Sequence, residues 1–337
     1  MAPWKTLAAA AAVAFIAALP AQAADTVLRI TLQLPLKSHL GQNLLLFKNE
    51  VETQSGGAIE VQIYDSAQLY KDKEVPQAVG SGAIEMGSAS LTRFVGEVPA
   101  VDVFYMPFLF NTEELVRAAT AKGGTIRGPL DEAILRTGSR VLWWQAYGGA
   151  IMLSKGGPLK TQEDVKGKKV RVFGKTLGKF IEAVGGSPTL ISGSEQYLAY
   201  QRGTVDVGMT GVSGVKSRSL WDVMDTITVT NHADIEFIVL INEEFWQGLP
   251  DGHKAIIEAA AQKADDAVRN AMSQIEADAY EAARANGMTV YELSPEEVDA
   301  WRKGAQPVYD DYRNTAGALG AEMQQAARAL LRKHESQ

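Results

Sequence analysis

The sequence contains no cysteine and only four histidines. Without cysteine there can be no disulfide, no thiol nucleophile and no thiolate metal site. His39, His232, His253 and His334 do not occur in spacings that bind zinc or iron. A nucleophile elbow and the glycine motifs that hold phosphates or dinucleotides are also missing. We therefore expect no catalytic residue, no metal and no cofactor, while an enzyme with an unusual site stays an alternative.

The chain also lacks an excess of positive charge and a second long apolar run. Its formal net charge is -7, so a nucleic acid is not an expected partner. The apolar run Leu7–Leu19 follows Lys5 and ends in Ala21-Gln22-Ala23. This layout is typical of a secretory signal peptide, and the run is shorter than the ~20 residues that span a bilayer. We predict a signal peptide at residues 1–23 and an exported, soluble mature protein.

Strand patterns and helix patterns alternate along the mature chain. β-Branched, alternating residues predict strands at Thr26–Leu34 and Ala58–Asp65. The alternation predicts the α/β class with mostly parallel sheets, and about 310 residues favour two lobes over one core. An alanine-rich stretch at 251–286 predicts a helix on the order of 50 Å long. We expect this helix to lie across both lobes.

Two distant segments match in register. Ala78–Ser90 and Ala199–Gly211 each read as a helix, a glycine stop, a short buried strand and small residues. This repeated pattern predicts two similar α/β lobes. Ligands of open α/β sheets bind beyond the carboxyl ends of the strands. The loops Ser88-Ala89-Ser90 and Met209-Thr210-Gly211 are therefore expected to line a cleft between the lobes.

Arg171 stands inside the apolar stretch KKVRVFG, which otherwise predicts a buried strand. Three explanations are open. The guanidinium could pair with a structural carboxylate such as Glu163 or Asp164, or it could extend to solvent. It could also bind an anionic ligand, because its fork of donors matches a carboxylate. Residue chemistry alone does not decide between the structural and the ligand role.

The stretch from Pro158 to Gly208 resembles the extracytoplasmic solute-binding proteins of TRAP transporters, the DctP-like family. It contains EDVKGKKVR, AVGGSP and EQYLAYQRGTVD, which follow the motifs of that family. FKNEVETQSGGAIEVQI, VDVFYMPFLF and NEEFWQGLP extend the resemblance over nearly the whole mature chain. In the family, the arginine of the K-[IV]-R motif binds the carboxylate of the solute, which implies that Arg171 is the carboxylate anchor.

The resemblance implies a two-lobed periplasmic binding protein fold of type II-like architecture, braced by one long helix. We expect lobe I to contain 24–148 and about 236–270, and lobe II to contain 149–235 and about 271–337. The implied function is capture of an organic acid in the periplasm and its delivery to the small and large membrane subunits of a TRAP transporter. An exported enzyme or a binding protein of an ATP-driven importer remains the alternative.

Two departures from the family pattern concern the solute. The family often has a second arginine where this chain has Gly148-Gly149-Ala150, and an asparagine near Thr210. The solute could thus be a dicarboxylate, or a monocarboxylate with an apolar or aromatic body.

Arg93 is the best candidate for a second anion clamp, although a surface or lobe-contact role is favoured. Besides Arg171, the candidate ligand-binding residues are Phe173, Thr210, Gly211, Ser90, Trp144, Tyr147, Trp221, His39 and His232. For His232 a place in the hinge between lobes is the favoured interpretation, and core packing is the alternative for each aromatic residue.

Overall fold

A computed structural model describes residues 24–335 of the chain. The predicted signal peptide at residues 1–23 lies outside the described residues. None of the helices in the described range is both long enough and apolar enough to cross a membrane.

Residues 24–335 contain strands and helices in alternation, as the sequence predicted. The strands are β1 (Thr26–Leu32), β2 (Ile59–Tyr64), β3 (Met86–Ser90), β4 (Ser139–Ser154), β5 (Lys169–Val172), β6 (Ser187–Leu190), β7 (Val207–Gly211), β8 (Thr226–Val229), β9 (Asp234–Asn242) and β10 (Thr289–Glu292). The helices are α1 (His39–Gln54), α2 (Val75–Gly80), α3 (Glu113–Ala119), α4 (Arg127–Leu135), α5 (Lys175–Ala183), α6 (Gln196–Gln201), α7 (Val212–Arg218), α8 (Glu243–Gly248), α9 (Asp251–Ala285), α10 (Pro295–Lys303), α11 (Gln306–Thr315) and α12 (Gly317–Glu335).

The strands form two sheets that share the long strand β4. The first sheet has the order β2-β1-β3-β9-β4, and the second continues from β4 through β7 and β5 to β6. Residues 139–149 of β4 pair with β9, whereas residues 150–154 pair with β7. The sheets are more mixed than predicted, because β4 and β9 run antiparallel to their neighbours while β1–β2, β1–β3, β5–β6 and β5–β7 are parallel. The crossing strands β4 and β9 therefore connect the two halves.

The matching segments of the sequence form matching structures. One is helix α2 followed by β3, and the other is helix α6 followed by β7. A left-handed glycine lies two residues after the end of each helix, with φ of 75° at Gly82 and 65° at Gly203. In each sheet the strand after that glycine lies beside the first strand of its unit, in parallel. The repeated pattern in the sequence thus corresponds to a repeated α/β unit in the structure.

The long helix predicted at 251–286 is confirmed as α9, which ends one residue earlier. It packs against α1 of the first unit and against α7, which follows the second unit. Ala260, Ala264, Val268, Met272 and Ala279 are buried along one side of it. Because small alanines allow close helix approach, this stripe lets α9 brace both halves.

The C-terminal helices pack on both halves. Helix α11 contacts α5 of the second half, whereas α12 contacts α3 and the 3₁₀ turn Pro99–Tyr105 of the first. Tyr312 of α11 donates from its hydroxyl to the carbonyl of Ala100, at 2.9 Å. These contacts place α12 with the first half, although the sequence assigned residues 271–337 to lobe II. The exact lobe boundaries stay a prediction.

Candidate functional site

A cavity lies between the two sheets, beyond the carboxyl ends of β1, β3, β5 and β7. The volume in it that a water molecule can occupy is about 20 Å³. Five residues predicted from the sequence line it, namely Ser90, Tyr147, Arg171, Phe173 and Thr210. The position agrees with the rule that open α/β sheets bind ligands at these strand ends.

Arg171 is buried at the centre of this cavity, with only 2% of its surface exposed. Its Nε donates to the carbonyl of Ile191 at 3.0 Å, and its Nη1 donates to the carbonyl of Met209. These bonds hold the guanidinium in place but do not neutralise it. Both bonds come from Nε and Nη1, and neither uses the Nη2 amino group. The fork therefore keeps one donor free to meet a ligand.

The structure excludes two of the three explanations for Arg171, namely pairing with a protein carboxylate and extension to solvent. Glu163 pairs with Lys166 at 3.4 Å on the surface, and Asp164 accepts from the backbone N–H of Thr161 at 2.8 Å. No carboxylate in the described part of the chain forms a salt bridge with Arg171. Extension to solvent is excluded by its burial. The charge of Arg171 is thus buried without a counter-charge in the protein. Such burial costs free energy unless an anionic ligand supplies the counter-charge.

The electrostatic environment that the protein provides also disfavours the charge of Arg171. Burial lowers the pKa of the guanidinium; the Tyr200 phenol acts in the opposite direction, and Arg93 and Arg218 lower the pKa further. Arginine nevertheless stays protonated at neutral pH. An anion bound here would replace lost hydration and offset the repulsion between the three arginines.

A second buried cluster joins Ser90 to Asp72 and Arg93. Asp72 accepts from the Ser90 backbone N–H at 2.9 Å and from its hydroxyl at 2.6 Å. Its other close partner is Arg93, whose Nε contacts Oδ2. The side chain of Arg93 is only 7% exposed, so the surface role is wrong, while the lobe-contact role that was favoured together with it stays a prediction. The Arg93 charge is neutralised within the protein, because Asp72 is a buried carboxylate with no other cation.

Arg218 also lines the cavity, and the sequence analysis missed it. It is the last residue of α7, and Ser219 after it has left-handed backbone angles that turn the chain away. Its Nη1 donates to the Tyr147 hydroxyl at 3.1 Å. One signal could have found it. Helix α7 follows directly from the cleft strand β7, so a long side chain on this helix can reach the strand ends.

Glycines shape the wall around Tyr147. A Cβ atom at Gly211 would lie 2.9 Å from the Tyr147 ring, which explains why the predicted site residue Gly211 must be small. Gly148 has φ of 95°, and a Cβ at Gly149 would lie 2.5 Å from Oδ1 of Asn231. No long side chain fits at this point. The second arginine that the family often has here is therefore absent for a steric reason as well.

Trp144 does not face the cavity. It is fully buried, and its indole N–H donates to Oδ1 of Asp131 at 2.8 Å. Its ring packs against Phe104 with centroids 5.2 Å apart. Core packing, the alternative stated for each aromatic residue, is what the structure shows for Trp144. Its inclusion among the ligand-binding candidates is not supported by its position.

His39 and Trp221 line a different space. They border a wider groove of about 610 Å³ between α1, α7 and α9. The His39 ring lies 5.4 Å from that of Tyr147, and its Nε2 is 3.0 Å from the carbonyl of Ala146. Burial lowers the pKa of His39 to about 4, so the ring is neutral at pH 7. His39 thus packs behind the lining residue Tyr147, and neither His39 nor Trp221 lines the cavity.

His232 lies in the crossover between β8 and β9. Its Nδ1 is 2.7 Å from the Thr230 hydroxyl, and its ring stacks on Phe180 with centroids 5.8 Å apart. Burial lowers its pKa to about 3. The position corresponds to the hinge interpretation and not to ligand contact. Among the described residues no group of histidine and carboxylate side chains could hold a metal ion.

A scan against family models matches residues 32–315 to the description "Bacterial extracellular solute-binding protein, family 7". Among curated proteins, the C4-dicarboxylate-binding periplasmic protein DctP of Rhodobacter capsulatus is 29% identical over 93% of this chain and 94% of its own length. The sialic acid-binding periplasmic protein SiaP of Vibrio cholerae is 28% identical over 87% and 90%.

Solved structures give the same result for the fold. A TRAP periplasmic solute-binding protein from Polaromonas, bound to D-erythronate, has a TM-score of 0.83 and 26% identity, covering 90% of this chain and 98% of that one. The two-lobed binding protein fold expected from the sequence is thus confirmed. A cavity with an unpaired, buried arginine lies where the two lobes of this fold meet.

Proposed function

Because this chain belongs to family 7 of the bacterial extracellular solute-binding proteins, we propose that it captures an organic acid anion in the cavity between its two halves. It is a receptor of the TRAP type and holds the solute without chemical change. Arg171 is the residue that anchors the carboxylate. A single observation carries this assignment. Arg171 is 2% exposed, and both hydrogen bonds of its guanidinium go to backbone carbonyls.

The anchor works through geometry as well as charge. The two carbonyl bonds orient the guanidinium plane, and the Phe173 ring lies 5.5 Å from its central carbon. An oriented fork donates two parallel hydrogen bonds to one carboxylate, which a point charge cannot do. Solute contacts from both sheets then favour the closed arrangement of the two halves. Ser90 and Thr210, at the ends of the equivalent strands β3 and β7, are the small polar residues on opposite sides.

The relatives named above are periplasmic, and their names include binding of a C4-dicarboxylate and of sialic acid. We infer that this chain is exported through residues 1–23 and works in the periplasm. Its partners are the small and large membrane subunits of a TRAP transporter. Co-purification with these two subunits, in the presence of solute, tests the partnership. Dependence on an ATP-hydrolysing subunit for uptake would instead support the ATP-driven alternative.

A ligand screen tests the binding proposal. A solute that binds only the folded protein raises the melting temperature with its concentration. We expect small carboxylates to do so and their uncharged amides to fail. Arg171→Lys retains the charge but loses the fork, so it should weaken carboxylate binding by about 1.5–3 kcal/mol. Isothermal titration measures this difference.

The same samples separate a receptor from an enzyme. After incubation with the protein, the bound acid should be recovered unchanged by NMR. Conversion of the acid would support the exported-enzyme alternative. Full affinity in Arg171→Lys and in Arg171→Gln would remove Arg171 from the anchor role.

A further inference from the structure

Arg218 provides a second positive charge to the cavity that no protein carboxylate neutralises. In residues 24–335 its one hydrogen bond goes from Nη1 to the Tyr147 hydroxyl, at 3.1 Å. A phenol is a neutral acceptor, so the pair leaves the charge of Arg218 in place. No salt bridge in the described range includes this residue.

Two glycines make room for the Arg218 guanidinium. A Cβ at Gly193 would lie 3.0 Å from its Nη2 and 2.7 Å from Oε1 of Gln33. A Cβ at Gly214 would lie 3.2 Å from its Nη1. A side chain at either position would displace the guanidinium. Arg218 therefore reaches the cavity wall close to Gln33.

Gln33 adds a buried polar group without a partner. It ends the extension of β1 from the first half and is 4% exposed. Its side-chain oxygen lines the cavity without a hydrogen-bond partner. Buried polar atoms in folded proteins are almost always bonded, so this atom marks a place for a polar group of a ligand. The side-chain oxygen of Gln33 and Nη2 of Arg218 both lie close to Gly193.

The charge balance of the cavity is strongly positive. Arg93, Arg171 and Arg218 contribute three charges and Asp72 removes one, which leaves +2. Asp72 neutralises Arg93 by direct contact. The two remaining charges belong to Arg171 and Arg218, and both side chains come from the second half of the molecule. A single carboxylate bound to the buried Arg171 would leave the half-buried Arg218 without a counter-charge.

Resting on the proposed function, we infer that Arg218 is the second anion-binding residue of the site and determines its specificity. The solute it selects is a compact dianion with a carboxylate at each end, one on Arg171 and one on Arg218. A polar substituent between them meets Gln33. A monocarboxylate with an apolar body leaves Arg218 without a partner and binds more weakly.

Matched pairs of ligands test this inference. The probes are the linear dicarboxylates from malonate to adipate and their monoamides, which have nearly the same size and one charge less. Isothermal titration of the full mature chain should show at least one dicarboxylate binding about 30-fold or more tightly than its monoamide, the lower end expected for a buried charge pair. Arg218→Gln should reduce this preference to less than about threefold. The monoamide should bind the variant and the wild type alike.

Lys216→Gln is the matched control, because it removes the same charge from the same helix at an exposed position. It should keep the preference for the dicarboxylate. Equal weakening of dicarboxylate and monoamide by Arg218→Gln would overturn the inference, as would a wild type that does not distinguish them. If no carboxylate binds at all, the proposed function fails as well. Melting temperatures of the ligand-free variants show whether a loss reflects misfolding.

Discussion

The first repeated unit has Thr31 where the second has Arg171. The correspondence follows from the strand register. Ile30 of β1 pairs with Met86, and Val170 of β5 pairs with Val207. The next residue of each strand is thus equivalent. Each side chain donates a hydrogen bond to a backbone carbonyl in the segment that follows the neighbouring strand. The Thr31 hydroxyl donates to the carbonyl of Tyr70, and Nε of Arg171 donates to the carbonyl of Ile191.

The comparison separates what the fold needs from what binding needs. A neutral threonine completes the first unit, and its buried hydroxyl is satisfied by the backbone. The second unit has the same strand order with a guanidinium that the protein does not neutralise. The fold of the unit therefore does not require the arginine. Its charge is an addition at the cavity, where a carboxylate can use it.

The largest expected effect distinguishes a paired arginine from an unpaired one. Asp72→Asn leaves Arg93 buried without its carboxylate, so we expect the free energy of unfolding to fall by about 3–5 kcal/mol. Urea denaturation of the ligand-free protein measures this loss. Glu163→Gln, which breaks an exposed pair with Lys166, should change the free energy of unfolding by less than about 0.5 kcal/mol. A stable Asp72→Asn variant would contradict the pairing described for Arg93.

The next largest effect is expected when Arg171 is replaced by the residue at the equivalent position of the first unit, Thr31. Arg171→Thr places the residue of the first unit in the second, and we expect carboxylate affinity to fall by about 2–5 kcal/mol. The ligand-free variant should be at least as stable as the wild type, because an unpaired buried charge is removed. Thr31→Val is the matched control and should retain affinity. A strong loss of stability in Arg171→Thr would indicate that the arginine is structural.

A smaller effect tests whether the two units pack alike. A Cβ at Gly87 of β3 would lie 2.6 Å from Val75, and a Cβ at Gly208 of β7 would lie 2.5 Å from the Tyr200 hydroxyl. Gly87→Ala and Gly208→Ala should each lower the free energy of unfolding by about 1–3 kcal/mol, through overpacking. Gly157→Ala has open space and should be close to neutral. Sensitivity in only one of the two strands would break the equivalence.

The smallest effect concerns the carboxylates that bond the first strand of each unit. Glu85 accepts from the backbone N–H of Arg29 at 3.2 Å, and Asp206 from that of Lys169 at 2.8 Å. Glu85→Gln and Asp206→Asn should each cost about 1 kcal/mol of unfolding free energy at pH 7. Comparable losses in urea denaturation would support equivalent roles.

The pH dependence of Glu85 sharpens this last test. Burial works to raise its pKa, but bonds from Arg29 outweigh burial and lower the pKa below its usual value. The stabilisation is therefore complete above the unfolded pKa of about 4.5 and is lost as the pH falls through the lower folded value. The difference between wild type and Glu85→Gln should shrink at acid pH. A difference that grows on acidification would contradict the sign of the shift.

The framework of the molecule was predictable because its signals are local and repeated. Helix α9 was placed within one residue of its end from its alanine stripe and the glycine after it. The strand β1 was expected at Thr26–Leu34 and ends at Leu32, where pairing with β3 stops. The pattern of β5 predicted that Val170 and Val172 are buried, as they are, but it left the burial of Arg171 undecided.

The rest of the site depends on contacts between distant segments. Asp72 and Arg93 meet because the turn before α2 returns to the end of β3, and no local pattern records that approach. Trp144 and Tyr147 were treated alike, although strand alternation places residues three apart on opposite faces. The irregular pairing of β4 with β9 between Ala146 and Gly148 then aims Tyr147 at the cavity.

A crystal structure of the protein grown with a bound dicarboxylate tests the central claim most directly. The account predicts one carboxylate of the solute within hydrogen-bond distance of the Arg171 guanidinium, including its Nη2, with the carbonyl bonds to Ile191 and Met209 retained. A solute that occupies the cavity with neither carboxylate in contact with Arg171 would contradict it.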